Sequence, residues 1–266
     1  MGIILITGAT DGIGLETAQQ LAKLGHELVL HGRSEAKAAR ARDAVLEQSP
    51  AVTIHAAHAD LADLAEVVRM ANSLNALLPR LDVLLNNAGV YMAERKASRD
   101  GFEMTLAVNH LAHFLLTALL LPLLKKSAEP RVVTVSSVAH MSGRIDFGNL
   151  NSERHFDGYA AYANSKLANA LFAAELARRE PWLTSNSLHP GVIDTKLLHA
   201  GFDIEGDSVR SGAKTSVYLA TSPEVKNLSG KYFDDCKITP PLAAVNDLRL
   251  VQQLWAWSEQ AIGKAL

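Results

Sequence analysis

The clearest structural signal in the sequence is the stretch Ile3-Ile4-Leu5-Ile6-Thr7-Gly8-Ala9-Thr10-Asp11-Gly12-Ile13-Gly14. Four aliphatic residues predict a buried strand, and an apolar-periodic helix begins directly after the last glycine. Glycines at such a turn can adopt positive φ and let a phosphate approach the N–H groups at the helix N-terminus. The stretch therefore predicts an anion-binding turn. Its G-x-x-x-G-x-G spacing differs from the usual G-x-G-x-x-G fingerprint, which leaves a tight packing turn as the alternative.

The alternation of short apolar runs with longer helical segments continues along the chain. Predicted strands occupy residues 3–6, 27–30, 52–55, 81–85, 131–135 and 184–189. Predicted helices occupy residues 12–24, 34–48, 61–78, 102–126 and 159–179. This alternation indicates βαβ units with right-handed crossovers, and so an α/β doubly wound parallel sheet of about seven strands with helices on both faces. No linker or repeat interrupts it, so residues 1–266 are predicted to form one domain with a substrate loop at about 191–212.

Composition excludes several classes of protein. The 26 Lys and Arg residues and 28 Asp and Glu residues are scattered and form no basic stripe, so nucleic acid is not an expected partner. The single Cys236 excludes an internal disulfide, and a reducing, cytoplasmic location is expected. The most apolar run, Phe114–Leu124, is shorter than the ~20 residues of a membrane-spanning helix and predicts a buried helix. Met1–Ile6 lacks signal-peptide and myristoylation features, so no membrane partner is expected.

The end of the second predicted strand bears on the choice of nucleotide. It reads His31-Gly32-Arg33-Ser34. In NAD-binding sheets an acidic side chain here accepts the ribose hydroxyls, whereas an arginine accommodates a 2′-phosphate. Gly32 leaves the acidic position empty, and the planar fork of Arg33 can bind two phosphate oxygens. Asp11 adds an opposing negative charge in the glycine turn, but the balance favours NADP over NAD.

A tyrosine and a lysine share one face of a predicted helix in Tyr162-Ala163-Asn164-Ser165-Lys166. Side chains at i and i+4 are neighbours, so the Lys166 ammonium is expected near the Tyr162 phenol. A nearby positive charge lowers the pKa of a phenol, which is otherwise a poor base at neutral pH. We therefore expect a lowered pKa for Tyr162. Tyr159 lies near the same face and is expected to be a packing or pocket residue.

Several motifs in a fixed order resemble the single-domain branch of the short-chain dehydrogenase/reductase family over nearly the whole chain. They are Thr7–Gly14, Asp60-Leu61, Asn86–Gly89 and Tyr162-x-x-x-Lys166. Three further stretches are similar to the retinol-dehydrogenase-like subgroup, namely Val108–Phe114, Ser165–Asn169 and Gly230–Phe233. Ala112 stands where that subgroup usually has Gly. The resemblance implies a Rossmann-type fold and an NAD(P)-dependent enzyme.

The resemblance also implies roles for individual residues. Tyr162 would be the general acid in carbonyl reduction and the base in alcohol oxidation. Lys166 would adjust the pKa of Tyr162 and hydrogen-bond the nicotinamide ribose. Ser137 would donate a hydrogen bond to the substrate oxygen. Asn109 would kink its helix and hold a water of a proton relay, and Asp60 would bond the adenine amino group. The cofactor-binding residues would be Gly8, Thr10, Asp11, Gly12, Ile13, Gly14, Arg33, Asp60, Leu61, Asn87, Ala88, Gly89, Tyr162, Lys166, Pro190, Gly191, Val192 and Thr195.

Taken singly, some of these residues have structural explanations. Ser136 or Ser137 alone would satisfy backbone groups at a strand end, and Asp60 alone would cap a helix beginning at Leu61. His110 and His113 have i, i+3 spacing, but no third ligand stands at a recognisable spacing. No functional metal is therefore expected.

The predicted function is NADP-dependent interconversion of a carbonyl and an alcohol. A nucleotide-sensing protein on the same fold is the alternative, and the presence of both Tyr162 and Lys166 argues against it. A lyase or epimerase is disfavoured by the short remainder of the chain after His189. The resemblance also implies oligomers through the helices at 102–126 and 159–179, without deciding between dimer and tetramer.

The substrate is expected to be a small lipophilic carbonyl or alcohol, because the candidate pocket residues are largely apolar. The loop around Leu197–Gly212 is expected to be mobile without cofactor. The candidate pocket residues are Tyr91, Met92, His140, Met141, Phe147, Leu197, Leu198 and Phe202.

Overall fold

A computed structural model describes residues 1–263, and its sheet confirms the predicted fold class. Eight strands lie in the order β3-β2-β1-β4-β5-β6-β7-β8. Every neighbouring pair is parallel except β7 and β8, which are antiparallel. The strands are β1 Ile3–Ile6, β2 Glu27–Gly32, β3 Ile54–His58, β4 Val83–Asn86, β5 Arg131–Val135, β6 Thr184–His189, β7 Tyr232–Asp234 and β8 Lys237–Ile238.

Nine α-helical segments accompany the sheet in the described part of the chain. They are α1 Gly12–Lys23, α2 Glu35–Gln48, α3 Leu64–Leu77, α4 Met104–Leu106, α5 Ala112–Leu124, α6 Gly158–Arg179, α7 Lys196–Gly201, α8 Val209–Thr221 and α9 Leu248–Ile262. A π-helical turn, Ala107–Leu111, joins α4 to α5 within the segment predicted as one helix, and it contains Asn109, the residue expected to kink that helix. The helix predicted from Leu61 begins at Leu64, because the Asp63 carboxylate accepts the N–H groups of the first turn.

The sheet is covered on both faces because its strands are apolar on both sides. In β1, Ile3 and Leu5 belong to one core cluster, whereas Ile4 and Ile6 belong to another. Successive side chains of a strand point to opposite faces, so these clusters lie on opposite sides of the sheet. One cluster includes α3, α5 and α6, and the other includes α1, α2 and α8.

The segment Met104–Leu124 is long and apolar enough to cross a membrane by length and composition, but 78% of its most apolar window is buried inside the protein. It packs in the core as predicted for Phe114–Leu124. Helix α9 covers part of this region. The Trp255 ring lies 4.8 Å from the Phe114 ring and stacks on the Phe172 ring at 5.9 Å.

The strand order places a ligand crevice at one edge of the sheet. The connections from the neighbouring strands β1 and β4 lead in opposite directions, towards β2 and towards β5. In open α/β sheets such a switch point leaves a crevice beyond the carboxyl ends of the strands. The glycine turn after β1 and the Asn86–Gly89 segment at the end of β4 meet at this point.

Candidate active site

A cleft of about 770 Å³ lies beyond the carboxyl ends of the central strands. It runs from the start of α2 past the glycine turn to α6 and the segment containing α7. All the residues predicted to be catalytic or cofactor-binding line this cleft, except Asn109 and Asp60. Residues far apart in the sequence are thus brought to one site.

The glycine turn forms a cradle that side chains would fill. Gly8 and Gly12 have φ values of +65° and +51°, which disfavour other residues. A Cβ on Gly8 would lie 2.9 Å from Ala88 Cα, and one on Gly14 would lie 2.2 Å from the Gly8 carbonyl oxygen. The turn also leads directly into the N-terminus of α1. It therefore fits the pyrophosphate of a dinucleotide.

Thr7 connects the glycine turn to the segment after β4 and to α5. Its hydroxyl accepts the N–H groups of Asn87 and Ala88 at 2.9 and 3.0 Å, and it lies 2.9 Å from His113 Nε2. His113 Nδ1 must donate to the Asn109 carbonyl at 3.0 Å, because a carbonyl only accepts. Thr7 is therefore the donor to Nε2. Burial lowers the pKa of His113 to about 3, so the ring stays neutral.

Replacing Thr7 by valine is expected to lower the free energy of unfolding by about 2–4 kcal/mol, because each unsatisfied buried polar group costs about 1–3 kcal/mol. The fully buried valine would leave the N–H groups of Asn87 and Ala88 and the Nε2 of His113 without their partner. Urea unfolding measures the change, and Thr7→Ser, which keeps a hydroxyl, is the control. Equal stability of the two variants would contradict the role of this hydroxyl.

His31 also fixes the glycine turn, a role that its place in the sequence did not predict. Its Nδ1 accepts the Gly8 N–H at 3.1 Å, and its Nε2 donates to the Ala59 carbonyl at 3.0 Å. Burial lowers the pKa of His31 to about 4, which keeps this ring neutral.

Within residues 1–263, no group of three or more His, Cys, Asp or Glu side chains is arranged to hold a metal.

Two cations stand at the outer end of the cleft. Arg33 was predicted there, and Lys37, four residues further along the start of α2, also lines the cleft. Lys37 was missed, although a basic residue in the first turn of the helix that follows Arg33 was a usable signal. A Cβ on Gly32 would lie 2.7 Å from Thr10 Cγ2 and 2.9 Å from the Ala38 nitrogen. The position therefore has no room for an acidic side chain.

The negative charge of Asp11 is paired across the cleft. Its carboxylate accepts a hydrogen bond from the Lys196 ammonium at the start of α7, and this bond is the main influence that lowers the pKa of Asp11. Both side chains line the cleft. The ion pair offsets the opposing charge that the sequence analysis assigned to Asp11, and it joins the glycine turn to the segment after β6.

Tyr162 is the buried phenol at the inner end of the cleft. Burial raises the pKa of Tyr162 to about 12, against a smaller lowering influence from a hydrogen bond with Ser137. The expected lowering of this pKa was therefore wrong for the protein alone. The Lys166 ammonium does lie beside the phenol ring, 5.6 Å from its centroid, but the loss of water around the phenolate is the largest influence on this pKa. Tyr162 is thus protonated at neutral pH.

Lys166 is almost fully buried between the strands and the cleft. Its Nζ donates to the Val135 carbonyl at 3.1 Å, and burial lowers its pKa to about 8. A Cβ on Gly89 would lie 3.4 Å from Nζ, so the glycine leaves the ammonium accessible from the cleft.

The two adjacent serines have different environments. Ser136 donates to the Lys166 carbonyl at 2.7 Å, whereas the Ser137 hydroxyl accepts the Ala139 N–H and interacts with the Tyr162 phenol.

Two predicted site residues lie outside the cleft lining. Asn109 sits in the π-helical turn, and its side chain bonds both backbone groups of Val90 and the Ser165 hydroxyl. It therefore braces the segment after β4 against α6, and the relay water stays a prediction. Asp60 accepts the Ala62 N–H at 3.0 Å and does not line the cleft, and its bond to adenine stays a prediction.

Aromatic rings cluster at the end of the cleft that holds Tyr162. The Phe202 ring lies 5.6–6.0 Å from the rings of Tyr91, Tyr159 and Tyr162. Gly201 permits this arrangement, because a Cβ there would lie 2.8 Å from the Tyr91 ring. Four of the eight candidate pocket residues line the cleft, namely Met141, Leu197, Leu198 and Phe202. The other four do not line it: Tyr91 packs behind it, and the remaining three are Met92, His140 and Phe147.

The comparisons with known proteins agree with this geometry. A family model for short chain dehydrogenases matches residues 2–203. The chain belongs to the short chain dehydrogenase family. As a member of that family it is an NAD(P)-dependent oxidoreductase acting on CH–OH groups.

Relatives place this short chain dehydrogenase near the retinol dehydrogenases. It is 40% identical to human retinol dehydrogenase 14, covering 98% of this chain and 86% of that protein. It is 41% identical to polyprenol dehydrogenase of Mus musculus, and the match covers 96% of this chain and 82% of that protein. Among solved structures, a putative short chain dehydrogenase from Escherichia coli CFT073 complexed with NADPH matches with a TM-score of 0.72 and 27% identity, covering 89% of this chain and 97% of that chain.

Proposed function

We propose that the protein is an NADP-dependent oxidoreductase that interconverts a lipophilic aldehyde or ketone and the corresponding alcohol, with Tyr162 as general acid and base. One observation carries the proposal. A single cleft joins the cations Arg33 and Lys37 at one end to the Tyr162 phenol and Ser137 hydroxyl at the other, and passes over the glycine cradle between them.

The choice of NADP rests on charge and on space. Arg33 and Lys37 offer two cations where a 2′-phosphate would lie, and planar arginine can bond two phosphate oxygens. The absence of room for a Cβ at Gly32 argues against the acidic residue that NAD-binding sheets use there. The related structure from Escherichia coli contains NADPH, which is consistent with this choice.

The chain's own residues supply orientation and the proton. Because the pKa of Tyr162 is raised to about 12, the phenol is ready to donate to a carbonyl oxygen at neutral pH. The hydroxyl oxygen of Ser137 accepts the Ala139 N–H, which leaves its proton for the same substrate oxygen. The buried Lys166 ammonium would bind the nicotinamide ribose and stabilise the phenolate as it forms. A bound nicotinamide cofactor supplies the hydride.

The substrate class follows from the apolar end of the cleft. Phe202, Leu197 and Leu198 line it, and Met141, Tyr159 and Ile204 expose 43–52% of their surface around it. Such a wall favours substrates that bury apolar surface over short polar ones. The names of the retinol and polyprenol dehydrogenase relatives point to long lipophilic alcohols, in agreement with this wall.

The test is consumption of NADPH and NADH by the purified protein with matched aldehydes of increasing apolar length. We expect turnover with NADPH, higher kcat/KM for the longer aldehydes, and weaker use of NADH. The gain per added CH₂ should be roughly fourfold at most, because each buried CH₂ contributes about 0.8 kcal/mol. NADPH binding without turnover of any aldehyde, ketone or alcohol would instead support a nucleotide-sensing protein and overturn the proposal.

A further inference from the structure

His140 lies behind the cleft wall, almost fully buried, three residues after Ser137. Its Nδ1 is 2.7 Å from the Ser137 carbonyl oxygen, and its Nε2 is 3.1 Å from the Leu242 backbone nitrogen. A carbonyl can only accept a hydrogen bond and a backbone N–H can only donate one. The proton of the neutral ring is therefore on Nδ1, and Nε2 is the acceptor. Both partners specify the same tautomer.

The hydrogen bond from His140 is one of two contacts that hold Ser137 in place. The Ser137 hydroxyl oxygen accepts the Ala139 N–H at 3.2 Å, and the 3₁₀ turn Val138–Ser142 begins directly after it. His140 donates to the carbonyl of the same residue from within that turn. The side chain and the backbone of Ser137 are thus both held, with the hydroxyl beside the Tyr162 phenol in the cleft.

The Nε2 side of the His140 ring contacts a part of the chain that is distant in the sequence. Leu242 lies between β8 and α9, about 100 residues away along the sequence. The ring of Tyr232, on β7, packs against the His140 ring with 4.5 Å between centroids. The segment after β8 is therefore linked to the serine through this imidazole, by the hydrogen bond from Leu242 to one ring nitrogen, and the tilted Tyr232 ring packs beside it.

We propose that His140 is a positioning residue for Ser137, and that the Leu242 N–H selects the His140 tautomer that holds the serine in place. The proposal rests on the proposed function, in which Ser137 donates to the substrate oxygen. If Nε2 carried the proton instead, Nδ1 and the Ser137 carbonyl oxygen would face each other as two acceptors. That pair repels, so the serine backbone would shift away from its present position.

The surroundings of His140 favour the neutral ring. Burial lowers its pKa, against a smaller raising influence from the Ser137 carbonyl. The elements packed around it carry the titratable groups Tyr232 and Asp234 on β7, His189 on β6, and Tyr159, Tyr162 and Lys166 on α6. Removing the Leu242 N–H would remove a hydrogen bond made only to the neutral form, so the pKa of His140 would rise.

Leu242→Pro deletes this N–H with little backbone strain. The φ of Leu242 is −50°, within the range that proline adopts, and the preceding residue is already a proline. Leu242→Ala removes the same side chain but keeps the N–H, and is the matched control. We expect kcat of the proline variant to be about five- to tenfold below that of the alanine variant, as for one buried hydrogen bond. The KM for NADPH should be the same in both variants.

A second pair of variants keeps the proposal falsifiable if the proline variant does not fold. Asparagine at position 140 retains an N–H donor near the place of Nδ1, whereas leucine retains only volume. We expect His140→Asn to keep a higher kcat than His140→Leu with equal KM for NADPH. The positioning role alone would be overturned if the two variants within each pair had equal kcat, while the wild-type protein was active and Tyr162→Phe was inactive. An inactive wild-type protein would instead overturn the proposed function.

Discussion

Replacing Tyr162 by phenylalanine is expected to lower kcat for carbonyl reduction about a thousandfold, because general acid catalysis contributes roughly 10²–10⁴ to rates. The substitution removes only the phenol oxygen, and the ring keeps its contacts with Tyr91 and Phe202. The fold and the glycine cradle are unaffected. The dissociation constant for NADPH should therefore stay within about twofold of the wild-type value, while turnover of every substrate falls together.

Tyr218→Phe is the matched control for this loss. Tyr218 lies on α8 outside the cleft, and its exposed hydroxyl donates to Glu224 at 2.9 Å. The same atom is removed from the same kind of residue, so kcat should not change. Steady-state rates and NADPH titrations on the three proteins measure both quantities. Turnover by the Tyr162 variant above about a tenth of wild type would show that another group supplies the proton, because a general acid is expected to contribute at least 10².

The parts of the site that were predictable depend on residues close together in the sequence. The glycine turn is a local pattern, and its required positive φ values at Gly8 and Gly12 follow from the residue type. Tyr162 and Lys166 are one helical turn apart, so their shared face follows from helix geometry alone. The alternation of strands and helices predicts the sheet for the same reason, whereas β7 and β8 are too short to show any periodicity.

The remaining features depend on residues that only the fold brings together. The raised pKa of Tyr162 comes from its burial beneath Tyr91 and Phe202, which lie on separate segments. A sequence shows the neighbouring lysine but not the loss of solvent, so the expected direction of the pKa shift was wrong. His140 resembles a pocket residue by its place after Ser137, and its contact with Leu242 is visible only in three dimensions.

The second large effect is expected at the opposite end of the cleft, in a variant that combines Arg33→Ala with Lys37→Ala. Its KM for NADPH should rise about a hundredfold or more. Each hydrogen bond to a charged group contributes about 1.5–3 kcal/mol, and every 1.4 kcal/mol is tenfold in affinity. The KM for NADH should change little, because NADH has no 2′-phosphate to pair with these cations. The double variant should therefore reverse or abolish the preference between the two nucleotides.

Arg40→Ala separates this local effect from a change in overall charge. Arg40 is an exposed arginine on the same helix, α2, and it does not line the cleft. Its removal should leave both KM values unchanged, and raising the salt concentration should weaken NADPH binding to the wild type more than to the double variant. A parallel loss of NADH affinity in the double variant would mean that these side chains bind the adenosine common to both nucleotides. In that case the crowding at Gly32 would not make the protein NADP-dependent, because lack of room for an acidic residue disfavours NAD without creating affinity for a phosphate.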